Sequence, residues 1–440
     1  MDLGTEVFSA VRVDDARGVY VLPTGNVDTE NCIDFKVTFS AAADAVTGHC
    51  LEMVHVPTGA FYLGGAKSYD DRNTINTSRG SLGAPLNAFF AADADGAFNG
   101  AYPVRSESAI EIGACDGCLH YLDAQIPGVN TYSGDGQGQL RTSFPKGFEA
   151  FYQMRYELSE QQYCDFLNSL TPDQARQRID LDLVFQGGSR RDYGNFIEFA
   201  DGQYVTSRPR QACSFISWSD GLAYADWAGL RIMTELEYEK SARGFAPPKF
   251  REYVWGSSEL EDGYVLDKTV FRCAPDQLCV DGNVLVNLLG FSNYRDVCGP
   301  RGSDPAYVGC RTLSSDLSYR GPLAVGIHAR GKTDLTRQAS GGSYFGALGL
   351  SGNLREPVVP VGDVRSRQYA GETGDGQLDE SGAANVPDWF YADGEDLVYG
   401  YRGGCWAFHE NHARIADRFN TYRKDIDVRK PYSGFRGVKD

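Results

Sequence analysis

His409 and His412 stand three residues apart, with Glu410 between them. Two imidazoles beside a carboxylate are a metal donor set, although such residues in a loop are more often solvated surface. Cys115 and Cys118 form a C-x-x-C pair. A zinc reading needs a second pair, and none is evident nearby, so a local disulfide or free thiols are the stronger readings. Cys273, Cys279, Cys298 and Cys310 share one segment with little core periodicity. They are expected to form disulfides across a loop that has little apolar surface to hold it, with a four-cysteine zinc site as the competing reading. There is no G-x-S-x-G, no glycine-rich phosphate loop opening a helix and no H-E-x-x-H. Arg231, Glu237 and Arg243 read as a structural ion-pair network. The stretches AFHENHA (407–413) and FNTYRKDID (419–427) lack periodicity and are prominent in aromatic, Asn and His side chains. Such residues give large contact area at low rotamer cost, with adaptable hydrogen bonding.

The elements that must position these residues are mostly short. The chain has 440 residues, 51 of them Gly, and 11 cysteines, an odd count. At ~150 residues per domain the length suggests about three, a soft prior that one large domain can exceed. An apolar fraction of 42% is enough for a sizeable core. Net charge is −17, which argues against nucleic acid as the partner and against an anionic membrane surface. No apolar run approaches a membrane span, and the N-terminus has no signal-peptide core. Cell-surface or secreted display is compatible with a trimmed chain, and the cysteine count leans towards an oxidising compartment.

Residues 1–65 alternate like strands, as in VFSAVRV, CIDFKVTF and MVHVPTGAFYLGG. SAIEIGA and CLHYLDA are short strands among the long loops of 66–143. Ser159 with Gln162 and Thr234 with Glu237 are capping boxes opening helices. Thr171-Pro172 opens a short helix. A strand over Phe215–Ser217 leads to a helix ending near Trp227, with Gly229 as its cap, and Gly244 ends the helix begun at Thr234. Trp218, Trp227, Trp255 and Trp406 read as core anchors. LVYGYRGGCWAF, ARIADR and SGFRGV read as short C-terminal strands. The sum is α+β.

RIMTELEYEKSARG followed by VWG resembles the helix and turn of formylglycine-generating-enzyme-like (sulfatase-modifying factor) domains. MVHVPTGAFYLGG, MRYELSEQQYCDFLN, FISWSDGLAYADWAG, LSGNLREPVV, YRGGCW and SGFRGV also match, in the family's order. The resemblance implies a C-type-lectin-like fold over 51–440, with a β segment over 1–50 packed on it. Loop insertions are expected near 66–143, 260–320 and 357–395.

The family enzyme holds copper with two cysteines. The matching positions here are Phe408 and Ala413, so the resemblance implies neither copper nor a catalytic residue. Cys405 is expected to be a small buried hydrophobe. A related branch uses histidine-bound iron with a helical partner domain, but none of the six histidines lies in a predicted helix at ligand spacing. Gly352-Asn353-Leu354-Arg355-Glu356 matches the family's calcium block, implying Ca2+ at Asn353 and Glu356, with Arg355 where Trp is usual.

Members without the cysteines include the variable proteins of diversity-generating retroelements, and this chain resembles them in its fixed blocks. The expectation is a non-catalytic recognition protein. Its binding face would comprise Trp406, Phe408, His409, Asn411, His412, Phe419, Asn420 and Tyr422, and its partner a protein or other macromolecule. The side chains after Trp406 are expected to be exposed together, between interior blocks at Arg402–Trp406, Arg414–Arg418 and Ser433–Val438. Arg414, Arg418 and Arg436 are expected to pair with acidic groups. The alternative is an oxidoreductase or accessory of the formylglycine-generating class with displaced chemistry.

Overall fold

The computed structural model describes residues 8–12, 19–23, 49, 51–66, 88–121, 134–258, 298–300, 308–310, 321–326, 329, 336–389, 398–408 and 410–440. Four helices carry most of the helical structure: α1 (Glu160–Ser169), α2 (Pro172–Arg178), α3 (Trp218–Trp227) and α4 (Glu235–Arg243). Around them lie many short strands, so the fold is α+β.

Each helix begins where local chemistry satisfies its first free N–H groups. Ser159, Thr171, Ser217 and Thr234 each accept from the backbone N–H three residues on, and that residue's side chain returns the bond. α1 buries Tyr163, Cys164, Phe166 and Leu167 on one face. Gly229, just past α3, and Gly244, at the end of α4, have φ of +63° and +69°. A Cβ on Gly244 would lie 2.1 Å from the ring of Tyr344, so the close packing there also requires glycine.

The central sheet brings distant parts of the chain together. Phe151–Met154 pairs antiparallel with Met53–Val56 on one side and with Gly437–Lys439 on the other. Arg231–Ile232 adds to the far side of Gly437–Lys439. A second four-stranded sheet joins Phe89–Ala91, Leu119–Tyr121, Ile110–Ile112 and Gly138–Leu140 in that spatial order. Within it, Cys115 and Cys118 form a disulfide in the turn before Leu119.

Several expectations need correction. Phe215–Ser217 forms no strand. Ser217 is the N-cap of α3, and Phe215 sits at φ +62°, in the left-handed region. ARIADR is a buried turn, not a strand: the Ala413 and Asp417 carbonyls accept from Ser351 and Arg402, and Arg418 pairs with Glu235. Residues 357–389 are more than a surface insertion: Val359, Val361, Tyr369 and Trp389 belong to the main core. Trp218 and Trp255 are core residues, whereas Trp227 and Trp406 are half-buried.

Phe8–Arg12 and Val19–Pro23 form an antiparallel pair. CIDFKVTF, the packing of the 1–50 segment, and Cys273 and Cys279 lie outside the described residues. Cys298 and Cys310 stand opposite each other in an antiparallel backbone pair, and their side chains also lie outside the described residues.

Candidate functional site

Three segments meet at the C-terminal face. Glu356–Val358 pairs antiparallel with Gly400–Arg402. Gly403 and Gly404 then turn the chain at φ +87° and +68°. A Cβ on Gly404 would lie 2.8 Å from the Ala413 nitrogen, so only glycine lets the loop close on itself. The Gly352 N–H donates to the Gly403 carbonyl (2.7 Å) and the Trp406 N–H to the Asn353 carbonyl (2.9 Å). The Arg355 N–H donates to the Tyr432 carbonyl (3.1 Å), and the Gly434 N–H donates back to Arg355 (3.0 Å).

A cluster of rings rests on this frame. Phe408 lies 5.0 Å from Tyr432 and 6.0 Å from His412, ring centre to ring centre. His412 lies 4.3 Å from Phe419, and its Nδ1 is 3.2 Å from Asp417 Oδ2. The Trp406 indole N–H donates to the Pro431 carbonyl (3.1 Å), and its ring meets Tyr193 at 6.4 Å. The Arg355 guanidinium lies among Tyr401 (3.7 Å), Tyr432 (4.8 Å) and Phe408 (5.7 Å). Its Nε–H donates to the Ser433 hydroxyl (3.0 Å).

The structure therefore brings Phe408, His412 and Phe419 together, with Trp406 beside them, but none stands fully exposed. Trp406, Phe408, His412, Phe419 and Tyr422 are half-buried, and neighbouring rings meet the first four. Asn420 is a clear correction. It is 5% exposed, its carbonyl accepts from the Tyr401 N–H (2.8 Å) and its side chain accepts from Arg423 (2.5 Å). Asn411 lies in the 3-10 turn Glu410–Ala413 with its side chain outside the described residues, as His409 is altogether.

The positions matched to the enzyme's thiols hold a half-buried phenyl ring at Phe408 and a buried methyl group at Ala413. Neither is a copper ligand. Cys405 is a buried free thiol. Burial pushes it up to about 12, despite the nearby Arg355 charge, so it stays protonated at neutral pH.

The calcium expectation does not fit the donor atoms either. Asn353 Oδ1 accepts from the Leu323 N–H (2.8 Å), while its amide donates to Glu157 (2.8 Å). Glu356 Oε1 accepts from the Arg436 Nε–H (2.7 Å). Only Glu356 Oε2 is without a partner, where calcium takes about six to eight oxygens. Burial, with Glu356 nearby, pushes Glu157 up to about 8, and burial pushes Glu356 up to about 6. Among the described residues no group of three or more His, Cys, Asp or Glu could hold a metal.

Beneath the ring cluster lies a lattice of buried ion pairs centred on α4. Arg231 pairs with Glu237 through two bonds (3.0 and 2.7 Å), and Arg418 with Glu235 through two (2.8 Å each). Glu239 takes both Arg243 (3.1 Å) and Arg402. The expected roles of Arg231, Glu237, Arg243, Arg418 and Arg436 are thus found, with Arg243 paired to Glu239 and Glu252 rather than Glu237. For Arg414, the described contact is the Tyr253 ring.

Sequence reasoning missed Glu235, Glu239, Glu157, Tyr401 and Tyr432. The alternating glutamates of ELEYE were the available signal for the first two. It also noted Arg355 only as a departure from the usual Trp, although Arg355 sits at the centre of the rings.

Residues 126–271 match the model of the Sulfatase-modifying factor enzyme 1-like domain. Over 176 residues the chain is 43% identical to a formylglycine-generating enzyme of Thermomonospora curvata, covering 35% of this chain and 56% of that protein. The match thus spans about half the length of that relative. Among solved structures, PvdO from Pseudomonas aeruginosa is similar at 16% identity and TM-score 0.39, over 89% of this chain and 95% of that one. Treponema denticola variable protein 1 is similar at 12% identity and TM-score 0.31, over 80% of this chain and 98% of that one. Within the chain, residues 126–271 are thus similar to a formylglycine-generating-enzyme-like domain.

Proposed function

We propose that this formylglycine-generating-enzyme-like chain is a non-catalytic recognition protein whose C-terminal face binds another protein. On this reading, as the sequence resemblance to retroelement variable proteins implies, fixed interior blocks carry side chains that can vary. The observation that carries the reading is the pair of residues at 408 and 413. A phenyl ring and a methyl group cannot hold copper or form a thiolate, and the nearby Cys405 thiol is buried and protonated. The rings at Phe408, His412 and Phe419 supply the large, low-entropy contact area that recognition surfaces use.

A second reading, an oxidoreductase or accessory of the formylglycine-generating class, is favoured by the 43% identity to a bacterial enzyme of that name. One experiment separates the two. The chain is incubated with copper, oxygen and a sulfatase-type cysteine peptide, and the peptide is weighed by mass spectrometry. The recognition reading expects no aldehyde above a no-protein control; turnover above that control would replace it with the enzymatic reading.

A further inference from the structure

Most buried arginines of the chain have an evident answer to their charge. Arg231, Arg243, Arg402, Arg418 and Arg436 each meet a carboxylate. Arg190 has no such pair, but its two Nη groups donate to Asn195 Oδ1 and the Ile197 carbonyl. Arg355 is different. It is 5% exposed, its Nε–H goes to Ser433, and its Nη1 and Nη2 donate to nothing among the described residues. Those Nη groups keep some contact with solvent, since they are not among the sealed atoms without a partner.

The rings explain what remains available. Cation–π contact uses the face of a guanidinium, and Tyr401 at 3.7 Å occupies that face. Hydrogen bonds leave a guanidinium in its plane, at the edge. The Nη1 and Nη2 donors in that plane are therefore unspent among the described residues. A second cation lies close by. Arg423 donates to Asn420, and its Nε–H has no partner among the described residues. Burial, then the charge of Arg355, makes Arg423 hold its proton less tightly than usual, and the exposed Asp425 offsets this only in part. A buried and a half-buried cation side by side stand out in a chain of net charge −17.

We infer that Arg355, flanked by Tyr401, Phe408 and Tyr432, is the anchor of a carboxylate-binding subsite in the C-terminal face, and that it takes a carboxylate of the protein ligand. Two parallel N–H···O bonds from the Nη edge match a planar carboxylate. The rings against the guanidinium leave hydrogen bonding to its plane, which suits a planar carboxylate better than a tetrahedral oxyanion. The inference rests on the recognition reading for its purpose, but its failure would remove only the carboxylate and leave that reading standing.

Phenylacetate is the probe, titrated calorimetrically into the full chain, with phenylacetamide as the uncharged isostere and sulfate as the tetrahedral anion. Phenylacetate is expected to bind saturably, with both comparators weaker by about tenfold or more. Arg355→Gln is expected to weaken phenylacetate by about tenfold or more, with Arg355→Lys between it and the wild type because the charge stays and the fork is lost. Failure to approach saturation by roughly 20 mM, equal binding of the amide or of sulfate, or unchanged binding by Arg355→Gln would each overturn the assignment. If Arg355→Gln does not fold, the three probes on the wild-type chain decide alone.

Discussion

Helix α4 and the C-terminal face both bury arginines, and they use them in opposite ways. In α4, Glu235, Glu237 and Glu239 each receive at least one guanidinium, so the charges close on each other and the helix is locked in place. On the C-terminal face, Arg355 is wrapped in rings and its Nη donors stay unspent. The first arrangement fixes a backbone. The second leaves a cation ready for something outside the chain. A buried charge is thus structural or functional according to whether its donors are spent, and residue type alone does not decide it.

The sharpest way to break this contrast is to remove a carboxylate from α4. Glu239→Gln strips the carboxylate partner from Arg402 and leaves Arg243 with Glu252 alone, and an uncompensated buried charge costs about 3–5 kcal/mol. Denaturant unfolding should show a loss of that size; a change under about 1 kcal/mol would mean the lattice does not hold the helix.

The next largest effect is on pH. Burial raises Glu157 to about 8 and Glu160 to about 7, above the ordinary glutamate value. In both, the folded chain holds a proton that the unfolded chain has already released. Their contribution is therefore intact below pH ~4.5 and is lost progressively as pH rises towards about 8. The melting temperature should fall as pH rises across that window, and Glu157→Gln should flatten part of the slope. A melting temperature that climbs steadily from pH 5 to 8 would contradict the assignment.

Arg355→Gln sharpens the comparison from the other side. With no carboxylate left stranded, its stability cost should be about 1 kcal/mol, from lost ring contacts, well below that of Glu239→Gln. Equal costs for the two variants would erase the distinction. The smallest effect concerns calcium. Asn353 Oδ1 and Glu356 Oε1 are already engaged, so chelator or added calcium should leave the melting temperature within about 1 °C. A clear rise with calcium would show that Arg436 yields its place.

Much of the frame was legible in the sequence because it is written locally. Ser159/Gln162 and Thr234/Glu237 mark helix starts through bonds between near neighbours, and the structure has both boxes. LVYGYRGGCWAF is a strand only as far as Arg402, since Gly403 and Gly404 turn the chain where only glycine fits. What was not legible depends on partners far apart in sequence. Arg418 meets Glu235, and Arg355 meets Tyr432, through tertiary packing that no periodicity encodes. Asn420 lies in a stretch without periodicity, which points to the surface, yet a backbone bond to Tyr401 draws it inward. The half-burial of Phe408 and Phe419 was missed for the same reason: ring-on-ring packing with His412 and Tyr432 depends on loops that meet only in the fold.

The central claim is that the fixed blocks hold a face whose side chains can change while the fold stays. It is tested most directly by a display library randomised at Phe408, His412, Phe419 and Tyr422, selected against an unrelated folded protein. A matched library randomised at Glu235, Glu237 and Glu239 serves as the control. The account predicts that most clones of the first library fold and yield binders, whereas clones of the second largely fail to fold. If the first library unfolds as readily as the second, the rings at the C-terminal face are core, and the recognition account is wrong.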